Sequence, residues 1–445
     1  MTFGAIKLRL SLAALLCVGG GLCADPSAAP TVPGGTGLTL DQAVDESVRH
    51  NLDLLAAQYN VPMARADELT AGLWENPSLL ADTIFEPFAS NWNQTSAGGP
   101  RQFDVGLSVP LDLSNKRGAS VDSAKAATRL AELGLLDAVR QKVLQVRQGY
   151  IDVVTKQNQV SLAAEKVEGY EKLVHIIENR IGQKPVRPLL LVRAELARDQ
   201  AHLDLRQRQA DLGSAKTMLA ILLGRAPSED AFQASTQLRD FSLEGIPDKE
   251  SVVAQALLSR PDLLALEQAA AKADLDRRLA VAQVWDDFNL SLSLSSQGPV
   301  DANPNVPGSS AVPAGYSWDG AVAIPLPLFN RNQGNIHKAE LTKAQAQKQV
   351  ESLQLSIRQE IGDEMERLKV DLNLIVDYEN SQIKNARQVR DSQQTLFGTG
   401  YIALLDYFDA MEAYDSVLSS YYDTLGDYRK TAAELNASVG TEVMP

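Results

Sequence analysis

The sequence predicts a mostly α-helical chain with a small share of membrane β-strand, built as two tandem repeats and closing its β-barrel only together with copies of itself. Three observations predict this. Segments of the first half recur in order in the second. Two stretches of about 63 residues carry a narrow apolar seam at 3,4 spacing. Four segments of about 9 to 11 residues alternate apolar and small polar side chains.

The ends and the composition frame these elements. The chain has 445 residues, an apolar fraction of 44% and a net charge of −14, which suits a folded protein and disfavours nucleic acid, whose phosphates require a basic surface. Residues 1–24 run from a basic start through an apolar core, Leu10 to Val18, into small residues, and read as a secretory signal too short to span a bilayer. Its removal after Cys23 or Ala24 takes the charge to −16, since that leader holds Lys7 and Arg9 and no acid. Cys17 and Cys23 are the only cysteines, so no disulfide is expected in the mature chain, and bulky Leu22 argues against acylation of Cys23. No later stretch offers 18 consecutive apolar residues, so entry into a membrane has to be as a barrel.

After a linker, residues 25–37, the first repeat spans residues 38–225. Thr39 is the expected N-cap of a helix to about Glu75, with Asp41 and Gln42 in its first turn. Two extended segments follow, separated by the Gly-, Ser- and Asn-rich loop "EPFASNWNQTSAGGPRQ". A second helix runs from about Ala119 to Ile181, breaks at "GQKPVRP", and returns to Leu223. Residues 226–247 link the halves. The second repeat, residues 248–440, has a helix from Asp248 to Val284, two strands, a helix from Asn335 to Phe397, a break at "GTG" (Gly398 to Gly400), and a helix to about Leu435; residues 441–445 form a tail. "HNLDLLAAQ" recurs as "RPDLLALEQ", "LWENPSL" as "VWDDFNL" and "VPLDLSNKRG" as "IPLPLFNRNQG", at offsets of 209 to about 215. The long seams are Leu136, Val139, Val143, Val146, Tyr150, Val153 and Ile361, Met365, Leu368, Leu372, Ile375. They point to coiled-coil packing over about 95 Å, with an ordinary helical bundle as the alternative.

The strands decide how many chains are needed. "FNLSLSLSS" places Phe288, Leu290, Leu292 and Leu294 opposite Asn289, Ser291, Ser293 and Ser295. Phe103 to Leu111 and Tyr316 to Leu326 alternate likewise, and Leu79 to Glu86 less cleanly. A soluble sheet with one buried face alternates in the same way. The secretory leader and the aromatics near strand ends, among them Trp285, Phe288, Tyr316 and Trp318, favour lipid on the apolar face and water on the other. Four strands leave two open edges, which hydrocarbon does not tolerate. Two copies give 8 strands and a filled interior; three give 12 and a passage.

With these features in place, the chain resembles the TolC family of outer-membrane efflux channels from about Leu38 to Gly440. The resemblance rests on the doubled module, on "PLDL" and "PLPLF" at the strand-to-helix passages, and on "GYIALLDYFDA" after the second break. "IPLPLFNRNQGNI" is most similar to the CzcC-like branch, which pairs with heavy-metal exporters. The resemblance implies a homotrimer with a 12-stranded outer-membrane barrel above a 12-helix coiled-coil periplasmic tunnel. Its hairpin tips would meet a periplasmic adaptor (membrane fusion) protein carrying an inner-membrane resistance-nodulation-division pump. Tip contacts would fall at Arg180 and Gly182 and at Gly398, Gly400 and Tyr401, although "KPVRP" replaces the usual small polar run of the first tip. Asp391, nine residues before Gly400, occupies the place of the acids that close the periplasmic aperture; a solvated helix face is the plainer alternative. Asp406 and Asp409 would cap or brace the returning helix. Lys116, Arg117 and Arg331, where barrel meets helix, would anchor the chain at lipid headgroups together with Trp285 and Trp318, or simply serve solubility.

No chemistry of another kind is legible. His50, His175, His202 and His337 lack partners at ligand spacing, the methionines are scattered, and no nucleophile elbow, P-loop or dinucleotide fingerprint occurs. No enzyme, metal site or cofactor is therefore expected. The expected function is a passive conduit for heavy-metal cations or drugs, with a soluble periplasmic coiled-coil adaptor or spacer as the alternative.

Overall fold

The computed structural model describes residues 37–84, 102–181, 188–226, 233–235, 246–299, 313–399 and 402–444, with five isolated positions between 302 and 311. The secretory leader, Cys23 and the loop after the first strand lie outside them. The chain divides into two compact units: residues up to 60 with 133–265 and 350–445, and residues 61–132 with 266–349.

In the first unit, α1 (Leu40–His50) opens on a reciprocal cap: the Gln42 N–H donates to the Thr39 hydroxyl at 3.3 Å and the Thr39 N–H to the Gln42 side chain at 3.1 Å. The helix expected to continue to Glu75 breaks twice, giving α2 (Leu52–Gln58) and α3 (Asn60–Ala71). Asn51 causes the first break. Its side-chain oxygen accepts from the N–H groups of Asp53 and Leu54 at 3.1 and 3.2 Å, while its amide donates to the Leu222 carbonyl at 2.9 Å. Ser47 donates to the same carbonyl, so the break closes the carbonyl end of α5 (Pro188–Leu223).

The second repeat does the same with other residues. Its expected helix Asp248–Val284 divides into α6 (Lys249–Ser259) and α7 (Pro261–Ala282), because Pro261 drives Arg260 into an extended conformation. Ser259 donates to the Val439 carbonyl at 2.6 Å and Arg260 to that of Ser438 at 3.3 Å, at the end of α10 (Leu404–Val439).

The long helices pack as the seams predict. On α4 (Lys116–Ile181), Val146, Tyr150 and Val153 are buried. They join Ile361, Met365, Leu368 and Ile375 of α8 (Gln333–Asp377) and Tyr421, Leu425 and Tyr428 of α10 in one core. A second core joins Tyr170, Leu173 and Ile177 of α4 to Phe397, Tyr407 and Met411. At Gly426 a Cβ would meet the Thr155 hydroxyl at 2.6 Å, so only glycine allows α10 this close to α4. The helix expected from Asn335 to Phe397 is interrupted by a π-helical turn, Tyr378–Gln382, before α9 (Ile383–Thr399). Tyr421 donates to Glu379 there at 2.7 Å and packs edge-on against Tyr378.

The second unit holds one antiparallel sheet in the order β1 (Ser78–Ile84), β2 (Gln102–Leu111), β3 (Phe288–Gln297), β4 (Gly315–Ala323). The register aligns Leu107 with Leu292 and Gly320, and Asp82 with Asp104, Ser295 and Ser317. One face therefore gathers Phe103, Val105, Leu107, Leu290, Leu292, Trp318 and Val322, with Ser296 among them, and the other Ser108, Ser291, Ser293, Ser295 and Ser317 with Asp82, Asp104 and Asp319. Ser291 bonds Ser108 at 3.1 Å, and Gln102 and Ser295 both donate to Asp104. Among the described residues, each of β1 and β4 has a neighbour on one side only. The strand expected to reach Leu326 leaves the ladder at Ala323, where Pro325 and Pro327 remove the donors that would continue it.

Candidate functional site

Asp391 lies exposed on α9 and is not an isolated carboxylate. The Arg390 guanidinium donates to it at 2.9 and 2.8 Å, reaches Glu165 of α4 at 2.7 Å, and sits 4.0 Å above the Tyr414 ring of α10. One arginine thus ties α9 to both neighbours beside the expected aperture residue. Further into this core, buried Asp415 of α10 takes Lys166 of α4 at 3.3 Å and Arg208 of α5 at 3.4 Å. Lys166 also meets Glu412 at 3.0 Å, and Tyr170 donates to Glu412. Burial and the Glu412 carboxylate push the Tyr170 hydroxyl upward, keeping it a donor. A cavity of about 160 Å³ lies among Leu162, Lys166, Gly169, Arg390, Met411 and Tyr414.

None of these partners was singled out from the sequence. Asp415 had a signal: an acid inside the apolar stripe Met411, Tyr414, Leu418 demands a buried cation. Arg390 had none, since Glu165 lies 225 residues away.

Among the expected tip residues, Arg180 falls in the last turn of α4 and Gly398 in the last turns of α9. Gly182, Gly400 and Tyr401 lie outside the described residues. Asp406 accepts the Ala403 N–H at 3.2 Å at the start of α10, and Asp409 is exposed one turn later.

Where the sheet meets the helices, Asp112 accepts from the N–H groups of Lys116 and Arg117 at 3.0 and 2.8 Å and so caps α4. The Lys116 ammonium meets Asp287 at 3.0 Å. Arg117 stacks 3.9 Å over Trp74 and donates to the Gly72 carbonyl at 3.2 Å. Trp285 packs edge-on against Phe288 at this end, whereas Trp318 is exposed near the opposite end of β4. The Arg331 side chain is exposed, and its N–H donates to Gln333 at 2.7 Å. Asn115 and Asn332 hold φ of 58° and 55°, a left-handed step just before α4 and α8.

The outer membrane efflux protein family matches residues 43–225 and again residues 252–441. The chain belongs to that family. This outer membrane efflux protein is 24% identical over 412 residues to the cobalt-zinc-cadmium resistance protein CzcC of Cupriavidus metallidurans, across 91% of this chain and 90% of that protein. It is 24% identical over 374 residues to the cation efflux system protein CusC of Escherichia coli K12, across 82% and 79%. Its fold matches a crystal structure of CusC with a TM-score of 0.73 at 20% identity, covering 90% of this chain and 92% of that one. As a member of an outer-membrane family, it is not the soluble spacer that the helices alone allowed. Among the described residues, no group of three or more His, Cys, Asp or Glu side chains is placed to hold a metal ion, and no helix is long and apolar enough to cross a membrane.

Proposed function

We propose that this outer membrane efflux protein is the passive exit duct of a tripartite system, working as a homotrimer that takes cargo from an inner-membrane resistance-nodulation-division pump through a periplasmic adaptor. The observation that carries this is a four-stranded sheet with an apolar face and two single-sided edges, joined to helices as long as 66 residues. Three such sheets close into 12 strands around a water-filled passage. Selection and driving force reside in the pump, because a wide wet tube touches its cargo little.

Heavy-metal cations are the favoured cargo. CzcC is a cobalt-zinc-cadmium resistance protein and CusC belongs to a cation efflux system, and the acidic chain suits cations. In this scheme Asp391 rings the periplasmic aperture, and Arg180, Gly182, Gly398, Gly400 and Tyr401 meet the adaptor. Asp406 and Asp409 brace the returning helix, and Trp285, Trp318, Lys116, Arg117 and Arg331 anchor the barrel at its two interfaces. The division of the chain at residues 38–225 and 248–440 gives each repeat one hairpin tip. Deleting the gene should lower the tolerated concentration of cobalt, zinc or cadmium, with plasmid rescue. Unchanged metal tolerance alongside new drug sensitivity would reassign the cargo; no change in either would overturn the duct.

A further inference from the structure

We infer that residues Ile324–Phe329 form an apolar strap that lies in the lipid of the leaflet nearer the helices, beyond the last hydrogen-bonded rung of the barrel wall. This rests on the reading that the apolar face of the sheet meets lipid. The β4 ladder ends at Ala323, paired with Asn289, yet the alternation does not stop. Ile324, Leu326 and Leu328 stay exposed, the latter two at 65% and 64%, while Pro325 and Pro327 turn to the other side and are half-buried. Phe329 follows at 93% exposure.

Extended backbone without a partner strand is normally excluded from hydrocarbon because its N–H groups go unpaired. Here two of those donors are absent, since Pro325 and Pro327 have none, and the Leu328 N–H donates to the Leu326 carbonyl at 2.8 Å. Three of the six positions from Ile324 to Phe329 are thus relieved of a free backbone donor while the leucines point outward, a combination that suits hydrocarbon better than water. Exposed Asn330 and Arg331 come directly after it, as expected where a chain returns to the headgroups. The occupant is acyl chain because the strap prolongs Val322, on the face assigned to lipid. In the first repeat the passage is one residue shorter, and Asp112 stands where Pro327 does. It caps α4, and only Leu113 carries the apolar face onward. Each copy thus presents one long strap and one short elbow.

Single cysteines at Leu326→Cys and Leu328→Cys, in a Cys17→Ala, Cys23→Ala background of the full chain, test this once spin-labelled in proteoliposomes. Leu292→Cys in β3 and Lys338→Cys on α8 serve as references. The expected result is a ratio of oxygen to nickel-chelate accessibility at 326 and 328 matching that at 292 and several-fold above that at 338. A ratio like that at 338 would place the strap in water, and shielding from both reagents would place it against another copy; either overturns the inference. If the label at 292 itself favours the nickel chelate, the sheet does not meet lipid and the underlying reading fails with it.

Discussion

Single side chains set the most local predictions. Glu364 is 7% exposed, accepts from Ser438 at 2.6 Å, and lies near Glu360, Glu434 and Arg260. Burial first, then the two acids, push its carboxyl from the usual value near 4.5 up to about 7. The folded chain therefore holds this proton more tightly than the unfolded one. The stability it contributes is complete below about pH 4.5 and is lost as pH rises to about 7, on the order of 3 kcal/mol at most. Glu364→Gln should melt above the parent at pH 8 and level with it near pH 4.5 in thermal scans; parallel pH profiles would refute this. The family resemblance points to Asp391 through its place relative to Gly400, but to nothing at Arg390 beside it, whose contacts depend on Glu165 and Tyr414 arriving from other helices. Asp391→Ala should raise single-channel conductance in planar bilayers severalfold. Unchanged conductance would remove this residue from the aperture.

Elements were legible where one local pattern governs them. Periodicity located the long helices and all four strands, because coiled-coil seams and lipid-facing strands are one-sided over many residues. The breaks at Asn51 and Arg260 were missed although their surroundings had been recognised as repeats of one another, because each break is fixed by a carbonyl at the distant end of that repeat. Even Pro261, which excludes a helical residue before it, reads locally as a tolerable helix start. Asn51→Ala removes a cap on α2 and a donor to Leu222 together, and should cost about 1–2 kcal/mol in denaturant unfolding. A negligible change would show that Ser47 alone suffices. The π-helical turn had no sequence signal at all: "YENSQ" differs in no obvious way from its flanks, and its partner Tyr421 lies on another helix.

The whole assembly follows from the number of strands in one chain. Light scattering on the detergent-solubilised protein should give about three chain masses after subtraction of detergent; a stable single chain would contradict closure by copies. The π-helical turn bears on the same assembly. Five residues wound more widely hold one more than an α-turn would, so everything beyond them on α9, Asp391 included, is rotated by about 100° relative to an unbroken helix. Deleting one residue between Tyr378 and Gln382 would restore the ordinary winding and keep the carboxylate near its present bearing, whereas α-winding of all five residues would swing it away by about 100°. The aim of the acid is therefore set in part by a phase error several turns away along the same helix.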